Sequence, residues 1–243
     1  MLEGLYSAAA GMAAQQQRMD ALAGDLANVN THGYKRQRIG FRDLFYQPAA
    51  RGSRPGVTTG TGAAAMSVGR SAVQGALRRT DEPLDVAIVG QGFFRVRGPG
   101  GVERLTRDGS FHLGANGDLL TASGHSVGVR VPRGTDPGDL RIGRDGRVSA
   151  GGRQLGRLDV VTVRSPDGLA AAGDNLFAPT PQSGPAVALL TPIQVEQGAL
   201  EASNVDLSDA MVDMMDAQRS FQLASKAIQM QDQMMEIANG VKR

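Results

Sequence analysis

A seven-residue apolar repeat at both ends of this chain constrains its fold more than any other feature. Counted in sevens from Leu207, one set of positions is Leu207, Met214, Phe221, Ile228 and Met235. The set three residues on is Ala210, Ala217, Ala224, Gln231 and Ala238. All but Gln231 are apolar, which is the seam of a helix that packs on another helix. Asn204 or Asp206 can cap its start, Asp209 suits the positive end of the helix dipole, and Gly240 stands where a helix commonly stops. Counted from Leu5, the same period gives Leu5, Met12, Met19 and Leu26, with Ala8, Gln15, Leu22 and Val29 as the companion set. The spacing therefore predicts a first helix over 3–29 and a last one over 204–243, paired with each other.

The apolar surface is wider than one such pairing can cover. Met211, Met215, Met230, Met234, Ile237 and Val241 all lie off the seam of the last helix. The plainer alternative is a helical hairpin that closes one ordinary domain. The width of the apolar surface argues instead that other copies of the chain cover the remaining faces. Two seams with several alanines bury too little to order this many residues, so the ends are expected to be mostly disordered in a monomer and to fold when many copies assemble.

Between the ends the period changes to two. Glycine is 33 of 243 residues, about twice the usual share, and most of it lies here. Val86, Ile88, Phe93, Phe94 and Val96 read as strands broken at Gly90-Gln91-Gly92. Asp108-Gly109, Asn116-Gly117 and Asp145-Gly146 are hairpin-turn dipeptides. The runs 105–111 and 142–148 look like two versions of one hairpin, and Val68 to Leu77 is expected to supply a short strand pair. The organisation predicted is α+β. A terminal helical, coiled-coil-like polymerisation domain comes from 1–30 and 204–243, extended connectors from 31–80 and 190–203, and an inserted all-β domain from 81–189.

Chemical motifs are weak. There is no cysteine, hence no disulfide or thiolate chemistry, and the net charge of +2 is too small to name nucleic acid as a partner. Gly124-His125-Ser126-Val127-Gly128 matches a nucleophile elbow. However, Val127, Val129 and Val131 continue as strand and no histidine follows His125. Gly90-Gln91-Gly92 lacks the third glycine and the helix that a phosphate cradle needs. His32, His112 and His125 have no ligand spacing. Lys35, Arg36, Arg38 and Arg42 form the strongest basic cluster, expected to be a solvated helix terminus. Its second role would be an interface facing Asp209, Asp213 or Asp216 of a neighbouring copy. No cofactor, metal, enzymatic activity or membrane insertion is expected. No run approaches the ~18 apolar residues of a membrane helix, and the N-terminus does not read as a cleavable signal peptide.

The run LANVNTHGYKRQRIGFRDLFYQ, which contains Asn28, Thr31, Gly33, Tyr34 and Lys35, resembles the N-terminal signature of the bacterial flagellar rod and hook axial proteins. The resemblance recurs at 85–96, 106–124, 142–150 and 197–228, so it spans nearly the whole chain. It implies a structural axial subunit of the basal-body rod that polymerises into a helical tube and carries torque to the hook, and it places the chain at the distal rod. A proximal-rod or hook-type position is the alternative within the family, and a glycan-binding fibre or adhesin module the alternative outside it. Implied partners are sister copies, other rod proteins, the hook protein and the surrounding rings. The implied location is the cell-envelope part of the flagellum, reached by type III export. The contacts between copies would run through Leu5, Met12, Met19, Leu22, Leu26, Leu207, Met214, Phe221, Ile228 and Met235. The chain departs from the family at Gly24-Asp25, where two asparagines are usual, and in a shortened loop after Tyr46.

Overall fold

Asp206 sets the start of the C-terminal helix. Its Oδ1 accepts the backbone N–H groups of Ser208 at 2.8 Å and Asp209 at 3.1 Å. Both are donors that no helical carbonyl can reach. The helix α2 then runs Leu207–Val241, through Gly240, and the N-terminal helix α1 spans Leu2–Ala27. The structure is a computed structural model that describes residues 2–44, 46–48, 58–60, 62–189 and 194–241. The chain divides into two units, the first from Met1–Ala27, Gln37–Val68 and Asp206–Arg243, the second from Asn28–Arg36 and Gly69–Val205.

In the first unit α1 and α2 pack on each other, and the strand Gln37–Asp43 lies on α1. Ala14 and Leu22 of α1 and Ala210 and Ala217 of α2 are buried. Alanine on the contact face of α2 removes bulk where helices must approach closely. Arg18 Nη2 and Asp213 Oδ1 form an ion pair between the helices at 3.0 Å. Asp25 is buried, and its Oδ1 accepts the Gln37 N–H at 3.0 Å.

The second unit is built on antiparallel sheet. Its main sheet runs, edge to edge, through Ala170–Ala171, Leu176–Ala178, Glu103–Thr106, Phe93–Arg97, Ser126–Arg130, Asp118–Thr121 and Phe111–Leu113. Val160–Thr162 also pairs with Phe93–Arg97. Adjacent residues of a strand point to opposite faces, and Phe93 and Phe94 show the consequence. Phe94 enters the main core, edge-on to Phe111 with ring centroids 5.2 Å apart. Phe93 enters a smaller cluster on the other face, edge-on to Phe177 at 5.8 Å. A second sheet of Leu140–Ile142, Arg147–Ala150 and Arg153–Arg157 packs Leu140, Ile142 and Val148 into the main core.

Several sequence expectations change. Asn116-Gly117 does join Phe111–Leu113 to Asp118–Thr121, and Asp145-Gly146 joins Leu140–Ile142 to Arg147–Ala150. Asp108-Gly109 closes no hairpin. The Gly109 carbonyl accepts the Val86 N–H, and a Cβ at Gly109 would overlap the Val86 carbonyl. The glycine is there for close backbone approach, so 105–111 and 142–148 are not two copies of one motif. The stretch 31–80, expected as connector, carries strands at Gln37–Asp43, Tyr46–Pro48, Thr58–Gly60, Ala63–Arg70 and Leu77–Arg79. Ala63–Arg70 pairs with Gln37–Asp43 and Leu77–Arg79 with Ala199–Glu201, not with each other. Both partners lie elsewhere in the sequence, so no local period announces the pairing. The strand Leu77–Arg79 is exposed at all three residues. Most of the loop after Tyr46, expected above to be short for the family, and residues 190–193 of the second connector lie outside the described residues.

Candidate functional site

The residues that follow α1 are part of the second unit, where they meet the segments around 70–75 and 201–204. Asn28 and Thr31 close a turn, Thr31 donating its N–H to the Asn28 carbonyl at 3.1 Å and its hydroxyl to Asn28 Oδ1 at 3.0 Å. Gly33 follows with φ +69°, and its N–H donates to the Glu201 carbonyl at 2.7 Å. A Cβ at Gly33 would stand 2.6 Å from the Arg107 carbonyl carbon. Glycine was expected here as a helix terminator, but α1 already ends at Ala27. What requires glycine is the combination of a left-handed φ and contact with the Arg107 backbone.

Lys35 is the centre of the cluster. Its Nζ donates to Glu201 Oε1 at 2.6 Å and to the Val73 carbonyl at 2.7 Å. Glu201 Oε1 also accepts the Gly75 N–H at 2.9 Å, while Oε2 faces Arg107 Nε at 3.2 Å. The side chains of Lys35, Glu201 and Arg107 are each no more than 3% exposed. Burial pushes the Lys35 ammonium below the ordinary lysine range, partly opposed by its hydrogen bond to Glu201. Burial also lowers the Arg107 guanidinium, again opposed by Glu201. One buried carboxylate thus serves two buried cations, an arrangement that tolerates removal of the carboxylate poorly.

Asn204 ties the neighbouring segments together. Its Oδ1 accepts the Arg36 N–H at 2.7 Å, its Nδ2 donates to the Val73 carbonyl at 2.9 Å, and its own N–H donates to the Tyr34 carbonyl at 3.3 Å. Arg70 lies over the Tyr34 ring at 5.0 Å and donates from Nη1 to the Lys35 carbonyl at 3.0 Å. Asn204 therefore acts as a clip, and Asp206 holds the helix cap that either residue could have supplied.

The expectation of a solvated basic terminus fails at Lys35. Arg38 and Arg42 are exposed and Arg36 is half-buried, but Lys35 is a core residue. Of the acidic residues expected to face this cluster from another copy, Asp213 pairs with Arg18 of its own chain. The partner of Lys35 is Glu201, which sequence reasoning missed together with Arg107 and Asn204. A signal was present: Ala199-Leu200-Glu201 is an apolar strand interrupted by one acid, and all three residues are buried.

In the first unit the seam residues Leu5, Met12, Met19 and Leu26 of α1 and Met214, Phe221, Ile228 and Met235 of α2 are half-buried, and Leu22 is buried. Leu207 differs, being exposed as the first helical residue after the Asp206 cap. The side chains of Ala238 and Val241 lie outside the described residues. On the opposite side of α2, Met211, Met215, Leu223, Met230, Met234 and Ile237 are all more than half exposed. Their separations of four, eight, seven, four and three residues keep them on one face. At 1.5 Å per residue α1 reaches about 39 Å and α2 about 52 Å. The shorter helix covers neither the full length nor the far face of the longer one.

Neither catalytic motif survives. Ser126 begins the strand Ser126–Arg130 and its hydroxyl accepts the Gly128 N–H at 3.2 Å, with no helix following. Gly90 and Gly92, at φ +96° and +134°, lead into the strand Phe93–Arg97. Among the described residues no group of three or more histidines or carboxylates is placed to hold a metal ion. No helix among them is long and apolar enough to cross a membrane.

Three family models match the chain. "Flagella basal body rod protein" covers residues 5–35, "Flagellar hook protein FlgE/F/G D1 domain" covers 87–150, and "Flagellar basal body rod FlgEFG protein C-terminal" covers 196–241. The chain is 37% identical to the flagellar basal-body rod protein FlgG of Borreliella burgdorferi over the whole of both chains. It is 36% identical to FlgG of Agrobacterium fabrum over 98% of each. It is 32% identical, again over both full lengths, to the flagellar hook-basal body complex protein FlhP of Bacillus subtilis.

Proposed function

The chain belongs to the flagellar basal-body rod FlgE/F/G family, and from that premise we infer that it is a structural, axial subunit of the rod. The relatives named FlgG favour the distal rod over a proximal or hook-type position. End-to-end similarity to rod proteins does not favour the adhesin alternative. Sister copies, other rod proteins, the hook and the surrounding rings are the partners of such a subunit. Its place is the cell-envelope part of the flagellum, reached through the flagellar export apparatus, and no catalysis is assigned to it.

The observation that carries the mechanical part of this inference is the second apolar face of α2. Met211, Met215, Leu223, Met230, Met234 and Ile237 stand in water on a single chain, at a cost that burial against sister helices removes. α1 and α2 act as a coiled-coil-like core unit of the polymer. The half-buried seam fixes the pair, and the free face joins copies into a helical tube. Packed apolar interiors deform little, so such a tube transmits torque.

The test is the full-length double variant Met230→Lys/Met234→Lys. At exposed positions it should leave unfolding of the single chain within about 0.5 kcal/mol of wild type. It should also abolish polymerisation in sedimentation velocity and fail to restore swimming to cells lacking the native protein. Normal polymers and normal swimming from this variant would refute the assignment of that face.

A further inference from the structure

Within the second unit, a cavity of about 190 Å³ opens beside the Lys35 cluster. Lys35, Arg70 and Arg107 line it together with Phe93, Leu169 and Phe177, and no carboxylate is in its wall. The cations are fixed in place. Arg70 is stacked over Tyr34 at 5.0 Å and Phe177 at 5.8 Å, and Arg107 over Phe93 at 5.9 Å. Arg107 Nη2 donates to the Gly90 carbonyl at 2.7 Å and its Nε faces Glu201, but Nη1 is buried and has no acceptor. Glu201 directs Oε1 to Lys35 and Gly75, and its Oε2, 3.2 Å from Arg107 Nε, makes an ion pair there but no hydrogen bond. A buried guanidinium N–H without a partner is costly and rare in native proteins.

We propose that this cavity binds a carboxylate on an apolar carrier, the carboxylate facing Arg107 and Arg70 and the carrier lying against Phe93, Leu169 and Phe177. The planar, forked donor set of arginine matches a carboxylate. The aromatic and aliphatic wall favours an organic anion over a hydrated inorganic one. Lys35, held by Glu201, contributes positive charge without needing to move. The depressed proton affinity of Lys35 and Arg107, caused first by burial, is what an additional nearby anion would offset. The site is independent of the helix faces assigned above. Two sources offer the same chemistry, a free small organic acid or an acidic side chain of another chain.

The experiment is titration of the purified full-length protein with benzoate, against sodium chloride at equal ionic strength, read by thermal unfolding and calorimetry. Benzoate should give a saturating rise in the unfolding midpoint and one-site heats that chloride does not. Arg70→Gln should weaken the apparent Kd at least tenfold. Ala72→Phe, which fills the cavity from an exposed lining position, should abolish binding while the protein remains folded. Equal effects of benzoate and chloride, or undiminished benzoate binding in both variants, would overturn the proposal. If benzoate slows self-assembly, the natural carboxylate belongs to another chain. If it binds and assembly is unchanged, the natural ligand is a free acid.

Discussion

Lys35 and Glu201 are 166 positions apart in the chain and 2.6 Å apart in the fold, with both side chains almost wholly excluded from water. The contact joins the segment just after the first helix to the one just before the last, and Arg107 completes it from the β-sheet side. Lys35 is thus a buried structural cation, and its strength as an anchor depends on a single carboxylate.

Glu201→Gln should destabilise the protein by about 3–5 kcal/mol, because it leaves Lys35 and Arg107 buried without their counter-charge. Urea unfolding of wild type and variant measures this directly. Lys35→Met in the same background should recover part of the loss, since one orphaned cation is removed. A loss below about 1 kcal/mol for Glu201→Gln would mean that water reaches the cluster.

Gly33→Ala should cost at least about 1–3 kcal/mol, from a left-handed backbone and a Cβ set against the Arg107 carbonyl. Limited proteolysis should show earlier cutting between 28 and 36 than in wild type. Unchanged stability and an unchanged digest would contradict the close approach.

The pH dependence of the cluster has a definite sign. Lys35 in the folded protein holds its proton less tightly than the ordinary lysine value of 10.5, chiefly because of burial. Between that lowered value and 10.5 the unfolded chain binds more protons, so stability rises with pH there. Below the lowered value the penalty is fully present and constant. The unfolding free energy of wild type, taken relative to Lys35→Met across the same pH series, should therefore climb as pH approaches 10.5. A fall over that window would indicate that pairing with Glu201 outweighs desolvation.

Circular dichroism of dilute protein should show less helix than α1 and α2 together contain, with the helical signal growing as concentration rises. A seam rich in alanine and half-buried methionines orders many residues for little buried surface. Full helicity at the lowest measurable concentration would show that the two helices sustain each other unaided.

The terminal helices and the two-sided Phe93-Phe94 strand were legible because their periods, 3.5 and 2, are written locally. Leu207 keeps the seam's period yet is exposed, because it is the first helical residue after the Asp206 cap. The anchoring cluster was largely illegible. Lys35 looks like one member of a basic run, and nothing local marks it as the member that is buried. Only Glu201, an acid within an apolar strand, carried a trace of its role. Gly109 and Gly33 were recognised as special, yet as turn and terminator residues. The demand on both is close passage of a distant backbone, which a sequence does not display.

Among the described residues the exposed strand Leu77–Arg79 pairs on one side only, with Ala199–Glu201, and carries two successive arginines. An open strand border invites lateral annealing when identical molecules are held at high local density. Arg78 keeps a cation on that border, while Arg79 is paired with Asp81 at 3.3 Å. In the assembly proposed above, a cation on that border disfavours annealing of one copy's sheet to the next.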